Sequence, residues 1–141
     1  MKYLFVLAFL STSICYSQNW LVNFDEAKAN AKEKNHKVIL VFSGSDWCAP
    51  CMKLEREIWD SDVFKSYAKT NYVLLKADFP RRKKNSLSKS QQDHNNKLAE
   101  QYNKNGYFPL VVVLNANGKV LGEAGYKKMK PQDYIDWLNS F

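Results

Sequence analysis

Short unbroken apolar runs alternate along the chain with longer stretches in which apolar residues recur every three or four positions. Val38-Ile39-Leu40-Val41-Phe42 and Leu110 to Leu114 are such runs, and Tyr72-Val73-Leu74-Leu75-Lys76-Ala77 is a third strand pattern, interrupted by Lys76. Val38–Phe42 is rich in β-branched residues, the signature of a buried central strand. Between them lie helical patterns. Asn23 and Glu26 have capping-box spacing, with Trp20, Phe24, Ala27 and Ala31 on one face. Helical stretches follow from Cys48 to Ile58 and from Ser61 to Thr70. Ser88 and Gln91 open another helix, which carries Leu98, Ala99 and Tyr102 and has Gly106 just past its end. Asn117-Gly118 is a hairpin turn signal, so Lys119 to Ala124 is read as an antiparallel return strand. Pro131 fits the first turn of a last helix that buries Tyr134, Ile135 and Leu138. The pattern predicts an α/β domain, a four-stranded mixed sheet in the order 2-1-3-4, flanked by helices.

Two segments stand outside this pattern. Residues 1–17 place one lysine, then Tyr3 to Leu10, then small and polar residues, the order of a secretory signal peptide. The apolar run falls short of the roughly 20 residues that span a bilayer. Cleavage is expected near Ser17-Gln18, leaving a domain over 18–141 in the periplasm or outside the cell, where thiols tend to be oxidised. The second segment, Phe79 to Ser88, is polar and basic and is broken by Pro80.

Composition sets the outer limits. A chain of 141 residues with 45% hydrophobic and 25% charged residues can bury one core. No internal repeat is present, and the apolar content excludes a disordered chain. The formal net charge is +7. A secreted basic chain with no recognition motif is not expected to bind nucleic acid. The expected state is a monomer.

The candidate chemistry is Trp47-Cys48-Ala49-Pro50-Cys51, directly after a strand and at the start of a helix. The first turn of a helix has unpaired N–H groups and partial positive charge, which stabilise a thiolate. A free cysteine of pKa ~8.5 is only about 3% thiolate at pH 7, whereas one lowered to ~7 is half ionised. Cys48 is therefore expected to be exposed and attacking, and Cys51, one turn deeper, shielded and resolving. Pro50 stiffens the turn without wasting an N–H. A structural disulfide is the blander reading, but so short a loop is a poor staple. No metal or cofactor is expected, since His36 and His94 lack ligand spacing to the cysteines.

Asp46-Trp47-Cys48-Ala49-Pro50-Cys51, taken with Phe108-Pro109 ahead of the third strand, resembles the thioredoxin superfamily over nearly all of residues 20–141. Locally, Cys48 to Leu75 is similar to small secreted thioredoxin-like proteins and to the periplasmic C-terminal domain of the bacterial membrane thiol reductase. The resemblance implies a thioredoxin fold and thiol–disulfide exchange on protein substrates. It implies an external thiol electron donor, which a membrane reductase would suit. It also implies that Pro109 is cis and sits against the active disulfide, with Phe108 pairing its backbone to an extended substrate. The residue between the cysteines that tunes strongly oxidising relatives is a histidine. Here no histidine separates them, so reduction is the expected direction.

One departure bears on mechanism. The family's buried aspartate, six residues before the first cysteine, is replaced by Phe42. Glu55, one helical turn beyond Cys51, is the candidate acid/base group in its place, and an ordinary surface glutamate is the alternative. Other positions keep two readings. Trp47 either packs or contacts substrate, and Asp46 either caps a loop or tunes charge. Tyr107 and Phe108 are either core residues or part of a substrate groove. Arg81-Arg82-Lys83-Lys84, with Lys89, is either a solvated loop or a dock for an acidic partner or an anionic surface. For the whole chain the alternatives are an oxidase or isomerase of the same fold, or a non-catalytic module for client binding or for metal or haem maturation.

Overall fold

The structure, a computed structural model, describes residues 18–141. The signal peptide expected over residues 1–17 lies outside the described residues. Element order is β1 (Trp20–Leu21), α1 (Phe24–Lys34), β2 (Lys37–Ser43), α2 (Ala49–Leu54), α3 (Asp62–Asn71), β3 (Tyr72–Asp78), α4 (Lys89–Tyr102), β4 (Leu110–Leu114), β5 (Val120–Ala124) and α5 (Pro131–Asn139). The sheet order is β1-β3-β2-β4-β5. β2 pairs parallel with β3 and antiparallel with β4, and β5 returns antiparallel to β4. The four expected strands keep their expected order, and β1 adds a fifth at the edge, parallel to β3.

Two of the expected elements need correction. Trp20 belongs to β1 and not to the first helix, which starts only after the Asn23 cap. A period of three to four brought Trp20 into register with Phe24, but the two side chains pack on opposite faces of the sheet. The second correction concerns 48–58. The α-helix gives way at Leu54 to a π turn, Glu55–Trp59, closed by Asp60 N–H donating to the Glu55 carbonyl at 2.8 Å. The wider turn carries the adjacent residues Ile58 and Trp59 into the core together. Trp59 then meets Phe64, Trp20 and Tyr134, at 4.5, 5.8 and 5.4 Å between ring centroids.

Alternation along the strands divides the core in two. Ile39, Val41, Leu74, Val111 and Val113 face α2, α3 and α5. Val38, Leu40, Phe42, Leu75 and Val112 face α1 and α4. The β4–β5 hairpin turns at Gly118, whose φ of 83° is costly for any side chain, and Tyr102 Oη donates to the Gly118 carbonyl at 2.7 Å. Among the described residues no helix is long and apolar enough to cross a membrane.

Candidate redox site

β2 delivers the chain to the site. Its last residue is Ser43; a turn over 44–47 follows, and Cys48 caps the next helix with extended backbone (φ −94°, ψ 101°). Cys48 N–H donates to the Gly44 carbonyl at 2.9 Å. Cys48 Sγ in turn accepts the N–H of Cys51 at 3.3 Å. A cysteine thus takes the capping role usually given to serine or aspartate. Ala49 and Pro50 complete the first turn at the surface. Cys48 and Cys51 are joined as a disulfide, their Cα atoms 5.2 Å apart.

The expected contrast in exposure is absent: Cys48 and Cys51 are each only 4% exposed. In the oxidised pair the two sulfurs are bonded to each other, and the capping geometry folds Cys48 inward over the helix end. What separates the two thiols is the first-turn N–H directed at Cys48 Sγ. A thiolate there would receive a charge-assisted version of the same bond.

Trp47 lies flat on the turn. A side chain at Gly44 would collide with its indole, so glycine is required there. Trp47 Nε1–H donates to the Phe79 carbonyl at 2.7 Å, and the ring meets Phe108 edge-on at 5.3 Å. Phe79 and Phe108 are 5.5 Å apart. The three rings, with Pro80 and Arg81, line an open cleft of about 580 Å³. Trp47 therefore both packs and presents a surface. Tyr107 is 59% exposed, which excludes the core reading for it, while Phe108 is half-buried. The buried Asn103 side chain clamps Tyr107, accepting from its N–H at 2.9 Å and donating to its carbonyl at 2.8 Å. The Phe108–Pro109 peptide bond is cis. Leu110 follows and pairs with Phe42, so Pro109 stands at the same end of the sheet as the cysteine turn.

Glu55 is placed differently from the other candidates. Its carboxylate accepts from Lys76 Nζ at 2.9 and 3.1 Å, and that ammonium also lies 4.8 Å from the Trp20 ring. The link from Glu55 to Cys51 is through the backbone, Glu55 N–H donating to the Cys51 carbonyl. Phe42, where the family's aspartate would stand, is fully buried, with its ring tilted 30° to that of Phe79 at 6.5 Å between centroids.

Asp46 does cap a loop, but a remote one. Its carboxylate accepts from Arg81 N–H (2.9 Å), Arg82 N–H (3.0 Å) and Asn85 Nδ2 (2.8 Å). The Arg81 bond first, then that from Asn85, holds the carboxyl below the ordinary carboxylate range. The Arg81 guanidinium lies 3.6 Å from the Trp47 ring. Sequence reasoning did not join Asp46 and Arg81. The signal was only a basic run following a strand adjacent to β2.

A Cys-Ala-Pro-Cys disulfide at a helix mouth, on a mixed sheet, is the arrangement of a thiol–disulfide redox protein. The thioredoxin-like family profile matches residues 19–116, and the chain belongs to that family of thiol–disulfide oxidoreductases. It is 32% identical over 118 residues to the disulfide bond reductase DsbH of Chlamydia pneumoniae, covering 84% of this chain and 69% of that protein. The thioredoxin-related protein DsbJ of the same organism is 32% identical over 60 residues, 43% of this chain and 17% of its own length. A solved DsbH oxidoreductase superposes with a TM-score of 0.81 at 28% identity, covering 99% of this chain and 92% of that one. The oxidised DsbD C-terminal domain of Neisseria meningitidis shares the fold, with a TM-score of 0.56 at 17% identity over 82% of this chain and 89% of that one.

Proposed function

We propose that this protein reduces protein disulfides in the bacterial envelope, after removal of a signal peptide over residues 1–17. The observation that carries the thiol–disulfide exchange is the hydrogen bond from Cys51 N–H to Cys48 Sγ, which would stabilise a thiolate at Cys48. In the reduced pair, Cys48 thiolate attacks a substrate disulfide. One substrate sulfur leaves as a thiolate and takes a proton, and a Cys48–substrate disulfide remains. Cys51, deprotonated, attacks Cys48 Sγ and expels the second substrate thiol. Two electrons have passed to the substrate, and Cys48–Cys51 is oxidised. A dithiol donor, of which a membrane reductase is one form, returns two electrons and two protons.

Phe42 leaves no carboxylate on β2 to take the Cys51 proton. Glu55 is assigned that role, acting through water with Lys76 positioning its carboxylate. Trp47, Phe108 and Pro109 form the substrate groove, with the backbone beside Pro109 pairing to an extended segment. Direction is supported by the absence of histidine between the cysteines and by similarity to a protein named as a disulfide bond reductase.

The test is reduction of a model protein disulfide with a dithiol donor. Wild type turns over, Cys48→Ser does not, and Cys51→Ser accumulates a covalent substrate adduct. Equal turnover by wild type and Cys48→Ser would overturn the reading. An equilibrium potential near about −270 mV fits a reductase, and one near about −120 mV would reverse the direction.

A further inference from the structure

Three consecutive residues of the turn that leads into the cysteines each hold the end of β3 or the segment after it. Ser45 donates from N–H and Oγ to the Asp78 carboxylate, at 2.9 and 2.6 Å. Asp46 accepts from Arg81, Arg82 and Asn85, and Trp47 donates to Phe79. The start of the basic run, Arg81-Arg82, is therefore fastened by its backbone to the turn that leads into Cys48, while its side chains stay exposed.

Little of its charge is spent in ion pairs. Asp46 directs its oxygens to two backbone N–H groups and one amide, and among the described residues none of the four basic side chains forms an ion pair. All four are exposed. The Arg81 guanidinium lies over Trp47, the residue preceding Cys48. A cation stacked on an aromatic ring keeps its outward N–H donors available for a carboxylate. The cleft thus has an aromatic floor (Trp47, Phe79, Phe108) and one cation, Arg81, in its lining, with Arg82, Lys83 and Lys84 following directly in the chain.

We propose that this basic segment selects the substrate: a disulfide-bearing polypeptide with carboxylates close to the attacked cysteine and an apolar side chain beside them. The apolar group occupies the aromatic floor while the carboxylate meets Arg81 and its neighbours, bringing the substrate sulfur to Cys48. This inference deepens the proposed reduction of protein disulfides and rests on it for the chemical step, but not for the recognition. An acidic polypeptide suits the geometry better than a lipid surface, because the Arg81 guanidinium lies over Trp47 in the wall of a concave cleft.

The experiment uses two disulfide-linked peptides of identical length, one with Phe-Asp-Glu beside the cysteine and one with Phe-Asn-Gln. Binding is measured to the residue 18–141 protein carrying Cys48→Ser and Cys51→Ser, so that no chemistry is needed. Turnover is measured on the unsubstituted protein. The acidic peptide is expected to bind about tenfold more tightly at low salt, with the advantage shrinking as screening rises. Arg81→Gln/Arg82→Gln/Lys83→Gln/Lys84→Gln removes the preference. Lys32→Gln/Lys34→Gln, at the opposite end of the sheet, keeps it. Equal affinity for the two peptides, or a preference that survives the fourfold substitution, overturns the proposal. So does a loop that binds phosphatidylglycerol vesicles without discriminating between the peptides. Selective binding with no turnover would uphold the recognition and refute the reductase assignment instead.

Discussion

β2 and the turn that follows it are held by opposite means. From Val38 to Phe42 every side chain is at most 2% exposed, and the strand is fixed by apolar packing on both faces. From Ser45 to Trp47 the chain lies at the surface, and hydrogen bonds to residues 78–85 fix it. The interior places the helix mouth, and the polar fastening places the groups around Cys48. Damage to the first should unfold the protein, and damage to the second should leave it folded and alter what it does.

The largest effect expected from breaking the interior is at Trp59, where alanine should cost about 3–5 kcal/mol of stability, as large core truncations do. Urea unfolding of Trp59→Ala checks this, and a loss under about 1 kcal/mol would mean that the π turn does not anchor the core.

Next in size is an alkaline transition. Burial pushes the Tyr134 and Tyr72 phenols well above their ordinary value, and each donates its proton, to the Gly125 carbonyl and to Asn139 Oδ1. The unfolded chain releases these protons first, so stability is intact below about pH 10 and falls as pH rises beyond it. The slope of unfolding free energy against pH above that point should be shallower in Tyr134→Phe. An identical slope would show that Tyr134 carries none of the transition.

At the turn the expected effects on stability are smaller and the effects on function larger. Asp46→Ala should leave the unfolding midpoint nearly unchanged while making the bonds after Arg81 and Arg82 faster to trypsin. Because the Asp46 carboxyl is held low, wild type should show the same loosening only as pH falls below the ordinary carboxylate range. Cleavage no faster in the variant would mean that Asp46 does not fasten the loop. Smallest in stability is Glu55→Gln. An ion pair this open is worth roughly 1 kcal/mol at most. The informative readout is the pH profile for resolving a mixed disulfide, and an unaltered profile would remove Glu55 from proton transfer.

What the sequence disclosed follows the same division. Val38–Phe42 and Leu110–Leu114 were legible because burial on both faces writes an unbroken apolar run. The Cys-Ala-Pro-Cys turn was legible because strand, pair and helix come in one local order. β1 was not: two residues are too few for a period, and Trp20 matched the helix that follows. The π turn was hidden because a widened turn keeps nearly the same apolar spacing. Asp46 and Arg81 are 35 residues apart, and only the parallel pairing of β2 with β3 brings them together. The equal burial of the two cysteines was not legible, because it comes from Cys48 capping the helix with its sulfur toward the Cys51 N–H.

The most direct measurement is the rate of alkylation of Cys48 in the reduced protein against pH, in a Cys51→Ala background that keeps the backbone N–H donor. A thiolate stabilised by that donor predicts an apparent pKa well under the ~8.5 of a free cysteine, with alkylation already near its plateau at neutral pH. A profile that climbs with a midpoint at or above the free-thiol value would contradict the account.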